Sequence, residues 1–133
     1  MGLVAFAGKL APGKTDEWRQ FVEEMHGPRK AEYEASRYRL HIKKERAFLQ
    51  PGSDGDTVIY TITRHGSPAI ALPPLFRDLS ASREPFDVWY KQRMKDLLGI
   101  DFDANSETPP ADLFFRMGPR RVRPPEPAPG QPA

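Results

Sequence analysis

A chain of 133 residues, 38% hydrophobic and with a mean hydropathy of -0.63, has the length of one domain with a small core. The absence of cysteine excludes a disulfide framework, thiolate chemistry and any cysteine-held metal. No apolar run approaches the roughly 20 residues of a membrane-spanning helix. The net charge of +2 hides two basic segments: +4 over residues 29–46 and +3 from Arg116 onward, on a remainder of −5. Such segments attract anions or nucleic acid, but Glu32 and Glu34 interrupt the first, as on a solvated helix face.

The first residues are apolar but short, without a basic leader, and run straight into Lys9. No signal peptide is read, and a cytoplasmic location is expected. Residues 3–10 read as a strand closed by the turn Ala11-Pro12-Gly13-Lys14. Its two faces, Val4, Phe6 and Gly8 against Leu3, Ala5 and Ala7, are both apolar. Thr15 is the expected N-cap of a helix, with Asp16 and Glu17 suited to its first turn. Trp18, Phe21, Val22 and Met25 form its apolar stripe, and Gly27-Pro28 ends it. A second helix is expected over residues 29–41 on a weaker face of Ala31, Ala35, Tyr38 and Ile42, with Tyr33 and Leu40 alongside.

Residues 43–49 and 57–63 read as strands flanking the turn-rich Pro51-Gly52-Ser53-Asp54-Gly55-Asp56, and pair as an antiparallel hairpin. Residues 65–82 suggest a short helix broken by Pro73-Pro74. Pro85 opens a longer helix at its N1 position. Phe86, Trp89, Tyr90, Arg93, Met94, Leu97 and Leu98 trace its face, and Gly99 caps it. A last strand is expected over residues 111–117. From Gly118 prolines accumulate, so residues 1–117 form the domain and 118–133 a disordered, basic, proline-rich tail.

This order is βαββαβ, an α+β, ferredoxin-like plan with an antiparallel sheet. A sheet covered by helices on one face alternates apolar and polar residues, yet three of these strands are apolar on both faces. The expected cover for the second face is the sheet of a second copy, giving a homodimer; the alternative is that the proline-rich tail or the extra helix folds back over it.

Residues 4–14, Glu45-Arg46-Ala47-Phe48-Leu49, Val58-Ile59-Tyr60, and Glu84-Pro85-Phe86-Asp87-Val88-Trp89-Tyr90 leading to Leu98-Gly99-Ile100-Asp101 resemble the dimeric α+β barrel proteins. The closest likeness is to a small, poorly characterised family among them. The resemblance covers most of residues 3–117. It implies a ligand held between the sheet and the helices of each protomer. The superfamily's activities include cofactor-free monooxygenases and isomerases, and no catalytic motif is common to them, so the likeness implies a pocket rather than a reaction.

The residues themselves show no phosphate loop, nucleophile elbow or HExxH, and His26, His41 and His65 are too scattered for a metal site. Glu45 and Tyr60, on neighbouring strands, are the first candidates for catalysis, the carboxylate accepting the phenol's hydrogen bond; His41 and His65 are candidate bases. Phe6, Phe86, Trp89 and Arg93 are the candidate substrate-binding residues. A carboxylate, a phenol and an aromatic wall suit acid/base work on a hydrophobic, aromatic or polyketide-like molecule. The leading expectation is a cofactor-independent monooxygenase, cyclase or isomerase, with neither metal nor cofactor. The alternative is a non-catalytic small-molecule-binding or interaction protein, in which Glu45 pairs with a nearby cation, Tyr60 packs in the core and Trp89 anchors its helix. The basic tail lacks the interleaved aromatics that stack on bases, so nucleic acid is not the expected partner.

Overall fold

The structure is a computed structural model describing residues 2–66 and 74–106. Its elements in chain order are β1 (Gly2–Lys9), α1 (Thr15–His26), α2 (Lys30–Arg39), β2 (Ile42–Gln50), β3 (Thr57–Arg64), α3 (Leu75–Ala81) and α4 (Pro85–Leu98). The three strands form one antiparallel sheet in the order β1-β3-β2. The protein is therefore α+β, with four helices beside a three-stranded sheet among the described residues. The expected last strand over residues 111–117 and the tail lie outside the described residues.

The β-branched and aromatic run of β3 takes the centre of the sheet, where it pairs on both sides. Val58, Tyr60, Ile62 and Arg64 of β3 point toward the helices and are buried, while the residues between them are half-buried. Phe6 faces Tyr60 across β1 and stacks on it with ring centroids 5.0 Å apart. Edge-on contacts carry the core onward, from Phe6 to Phe76 of α3 at 5.1 Å and from Phe76 to Phe102 at 4.9 Å. Each such ring, fully buried, contributes about 1.5–3 kcal/mol.

Gly8 marks where β1 and the end of α4 meet. A Cβ built there would lie 2.8 Å from Ile100 Cδ1 and 3.2 Å from Leu98 Cβ, so only glycine admits this approach. As expected, α4 begins with Pro85 and closes on Gly99 in the left-handed conformation at φ 63°.

Two expectations are corrected. Thr15 is the first residue of α1 rather than its cap; Lys14 holds that position without a side-chain bond, and the Thr15 hydroxyl instead donates to Asp56 at 2.7 Å. The helix of α2 turns the other way round. It buries Ser36 and Arg37 and leaves Ala31, Ala35 and Tyr38 exposed, Tyr38 to 86%. The partners of Ser36 and Arg37, described below, explain the inversion: hydrogen-bonded polar groups outweigh a weak alanine stripe. Of the expected broken helix over residues 65–82, α3 begins at Leu75 after Pro74, and residues 67–73 lie outside the described residues.

No helix covers the second face of the sheet among the described residues. The strand register sets its residues in four rows: Leu3–Thr63–Lys44, Ala5–Thr61–Arg46, Ala7–Ile59–Phe48 and Lys9–Thr57–Gln50. Leu3 is 66% and Phe48 52% exposed. A register shift between Ile42 and Lys44 gives β2 one extra residue where it leaves α2.

Candidate functional site

Polar groups on the helix side of the sheet gather where α2 crosses β2 and α4. Eight residues separate Arg37 from Glu45, and the short link through His41 (φ 59°) folds β2 back beneath α2. Arg37 donates from Nε to Glu45 Oε2 at 2.7 Å and from Nη2 to Oε1 at 3.3 Å, a bidentate pair. Both side chains are more than nine-tenths buried. The guanidinium lies between the rings of Tyr33 at 4.6 Å and Tyr90 at 4.5 Å. Tyr33 adds a third bond, its hydroxyl donating to Glu45 Oε2 at 3.1 Å.

A second polar group adjoins the first. Arg37 Nη1 donates to the Ser36 hydroxyl at 3.1 Å, and Ser36 donates in turn to Asp87 at the start of α4. Asp87 also accepts from Ser82 and from Arg39, the latter at 3.2 Å. The chain of contacts thus ties α2, β2, the α3–α4 connection and α4 together.

The electrostatics follow from burial and partner. Burial raises the Tyr33 phenol, and the neighbouring Glu45 charge adds to that, to about 12; it stays a donor to Glu45. Burial works against the Arg37 charge, but Glu45 outweighs it and the guanidinium is held charged more firmly than usual. Burial likewise opposes the Asp87 carboxylate; the bonds from Ser36, Ser82 and Arg39 prevail and hold its carboxyl below the usual range.

Each residue singled out in the sequence has a definite place here. Glu45 is at the centre of the cluster, but its partners are Arg37 and Tyr33. The expected Glu45–Tyr60 bond is not made: Tyr60 accepts from Trp18 Nε1 at 3.1 Å and meets Met94 Sδ at 3.5 Å. The register explains this, since Glu45 stands opposite Ile62 and it is Ala47 that faces Tyr60. Tyr60 is 3% exposed, and burial pushes its phenol well up.

Phe6 lies in the core against Tyr60. Trp89 is half-buried, its ring 5.3 Å from Phe21 and 5.4 Å from Phe86, under the Arg29 guanidinium at 4.2 Å. Arg93 pairs with Glu17 of α1 at 3.1 Å. His41 and His65 are exposed neighbours at the end of the hairpin, joined by a backbone bond from His65 N to His41 O.

The structure therefore brings Glu45 together with Arg37 and with Tyr33, whose ring lies 6.3 Å from that of Phe86, and leaves Tyr60, Arg93 and the two histidines with other partners. Ser36, Arg37 and Asp87 escaped the sequence reading as site residues, and Tyr33 entered it only as an apolar residue beside the face of α2. Tyr33 and Arg37 stand at i and i+4 on one helix face, but a stripe sought among apolar residues passes over Arg37.

Two surface hollows flank α4. One of about 390 Å³ lies between Arg39, His41, Asp78, Arg83 and Asp87; another of about 420 Å³ lies beside Lys91, Lys95 and Phe102. Neither is lined by Glu45, Tyr60 or Trp89. No buried side-chain nitrogen or oxygen among the described residues is without a hydrogen-bond partner, and no three His, Cys, Asp or Glu residues are grouped to hold a metal. No helix of the described residues is long and apolar enough to cross a membrane.

Fold and site together define the class: an α+β protein whose helix-side polar cluster is internally satisfied and whose sheet, among the described residues, is open on the other face. No protein-family model, curated protein or solved structure matches this chain.

Proposed function

We propose that this chain is a non-catalytic interaction protein that pairs with itself, with the ferredoxin-like plan completed by a fourth strand as in a dimeric α+β barrel. One observation carries the reading: the sheet face opposite the helices exposes Leu3 and Phe48 beside Ala5, Ala7 and Ile59. An apolar strand face of this kind gains free energy by packing on another sheet. A two-fold axis sets the same apolar patch of each copy against the other.

The groups best placed for acid/base chemistry favour this reading too. The hydroxyl of Tyr60 is occupied by Trp18 and Met94, and the carboxylate of Glu45 by Arg37 and Tyr33. A general base needs a lone pair directed at the substrate proton.

The mass in solution tests the proposal. Sedimentation equilibrium is expected to give twice the 15.1 kDa of one chain. Leu3→Ser with Phe48→Ser should return it to one, with an unchanged circular dichroism spectrum. A wild-type protein that stays monomeric throughout the concentration range sinks the proposal.

A second reading has its own observation. The Tyr33–Glu45 pair is part-buried, with Phe86 6.3 Å from the Tyr33 ring and Trp89 adjoining Phe86. A carboxylate and a phenol beside aromatic walls suit a cofactor-independent monooxygenase, cyclase or isomerase acting on a hydrophobic small molecule. On that reading Glu45→Gln abolishes turnover with the fold intact, whereas the interaction reading expects only a loss of stability.

A further inference from the structure

The open face has a charge pattern as well as an apolar one. None of its twelve positions on β1, β2 and β3 is Asp or Glu. Its charges are Lys9, Lys44 and Arg46. Lys9 is engaged by Asp54 at 3.2 Å, but Lys44 and Arg46 have no ion pair among the described residues. They are alternate residues of β2, so their Cα atoms lie about 7 Å apart. Each is flanked on β3 by a threonine hydroxyl, Thr63 beside Lys44 and Thr61 beside Arg46.

Self-pairing makes this pattern consequential. Packed sheets are separated by about 10 Å. Bringing two copies together adds a second Lys44 and a second Arg46 to one shallow layer, with no acidic side chain of either sheet face to balance them. Charges at that spacing are near the screening length of about 8 Å in physiological salt, and a partly dehydrated gap screens them less. The apolar centre favours closure while the cations oppose it. A polyvalent anion relieves the opposition, since it neutralises several of the cations together where chloride neutralises one.

We propose that a free polyvalent oxyanion of the phosphate or pyrophosphate class binds at Lys44 and Arg46 and closes the paired sheets, so that self-association is linked to anion binding. This rests on the self-pairing reading and adds to it the counter-ion that the face requires. Linkage sets the direction: an anion that binds the pair more tightly than the single chain shifts the equilibrium toward the pair.

The experiment is sedimentation equilibrium of the full chain in sodium chloride and in sodium pyrophosphate at matched ionic strength and pH. The dimer dissociation constant is expected to fall by about fivefold or more in pyrophosphate, a modest linkage on the usual scale. Lys44→Gln with Arg46→Gln should dimerise with the same constant in both salts. Both positions are exposed, and circular dichroism confirms that this variant is folded. A wild-type dimer indifferent to the anion overturns the linkage and leaves self-pairing standing. A double variant that keeps the full pyrophosphate response overturns the assignment to these two residues. A chain monomeric in both salts overturns self-pairing, and the anion linkage with it.

Discussion

Arg37 does the most to organise this molecule, and its partners are on β2, α2 and α4. Removing one member of a buried pair strands the other, at a cost of about 3–5 kcal/mol. Glu45→Leu is accordingly expected to lower stability by about 3 kcal/mol, measured by urea denaturation. Arg37→Leu should cost a similar amount, and the double variant much less than the sum of the two. Simple additivity would show that the bidentate pair carries no coupling.

Asp87 makes a separate prediction through pH. Its folded carboxyl is held below the unfolded value near 3.8, so the unfolded chain binds more protons in acid. The stability it contributes is complete above about pH 4 and is lost as pH falls through the folded value. Asp87→Asn should therefore flatten the acid limb of the stability curve, and an unchanged limb would mean that the Ser36, Ser82 and Arg39 bonds do not favour the ion. Of these residues the sequence singled out only Glu45. Its partner was hidden because a buried arginine looks, in a sequence, like any solvated one on a basic helix.

Among the elements, legibility followed the strength of the pattern. The alternating β-branched run of β3, the stripe Trp18–Phe21–Met25 of α1 and the Pro85-to-Gly99 frame of α4 were all readable, because propensity, periodicity and capping agree there. The face of α2 was not. Its aliphatic residues are two alanines, worth little when buried, and a long-range hydrogen-bond network that includes Tyr33 decided the rotation instead. The approach of β1 to the end of α4 was equally invisible, since Gly8 in a strand signals only that something comes close. Gly8→Ala is expected to destabilise by about 1–3 kcal/mol, because Ile100 must give way. Thermal melting checks this, and an unshifted midpoint would show the contact to be slack.

For the whole molecule, the apolar character of both sheet faces was legible as a pattern, and the exposure of Leu3 and Phe48 gives it a physical form. No periodicity encodes what covers that face. The second face of the sheet carries Lys9, Lys44 and Arg46 and no carboxylate, so its charge as well as its apolar area is set by the strand register.

The register shift between Ile42 and Lys44 sets the parity of everything after it. Counted straight from Ile42, which faces Arg64, an uninterrupted strand would turn Lys44 toward the helices and Glu45 outward. Arg37 would then be left without its carboxylate, and the open face would gain an acid in place of a base. One surplus residue at the mouth of β2 thus determines both which charge is enclosed and which sign the other face of the sheet carries. Loss of Lys43 would force the chain to choose between keeping its junction with α2 and keeping its inside from its outside.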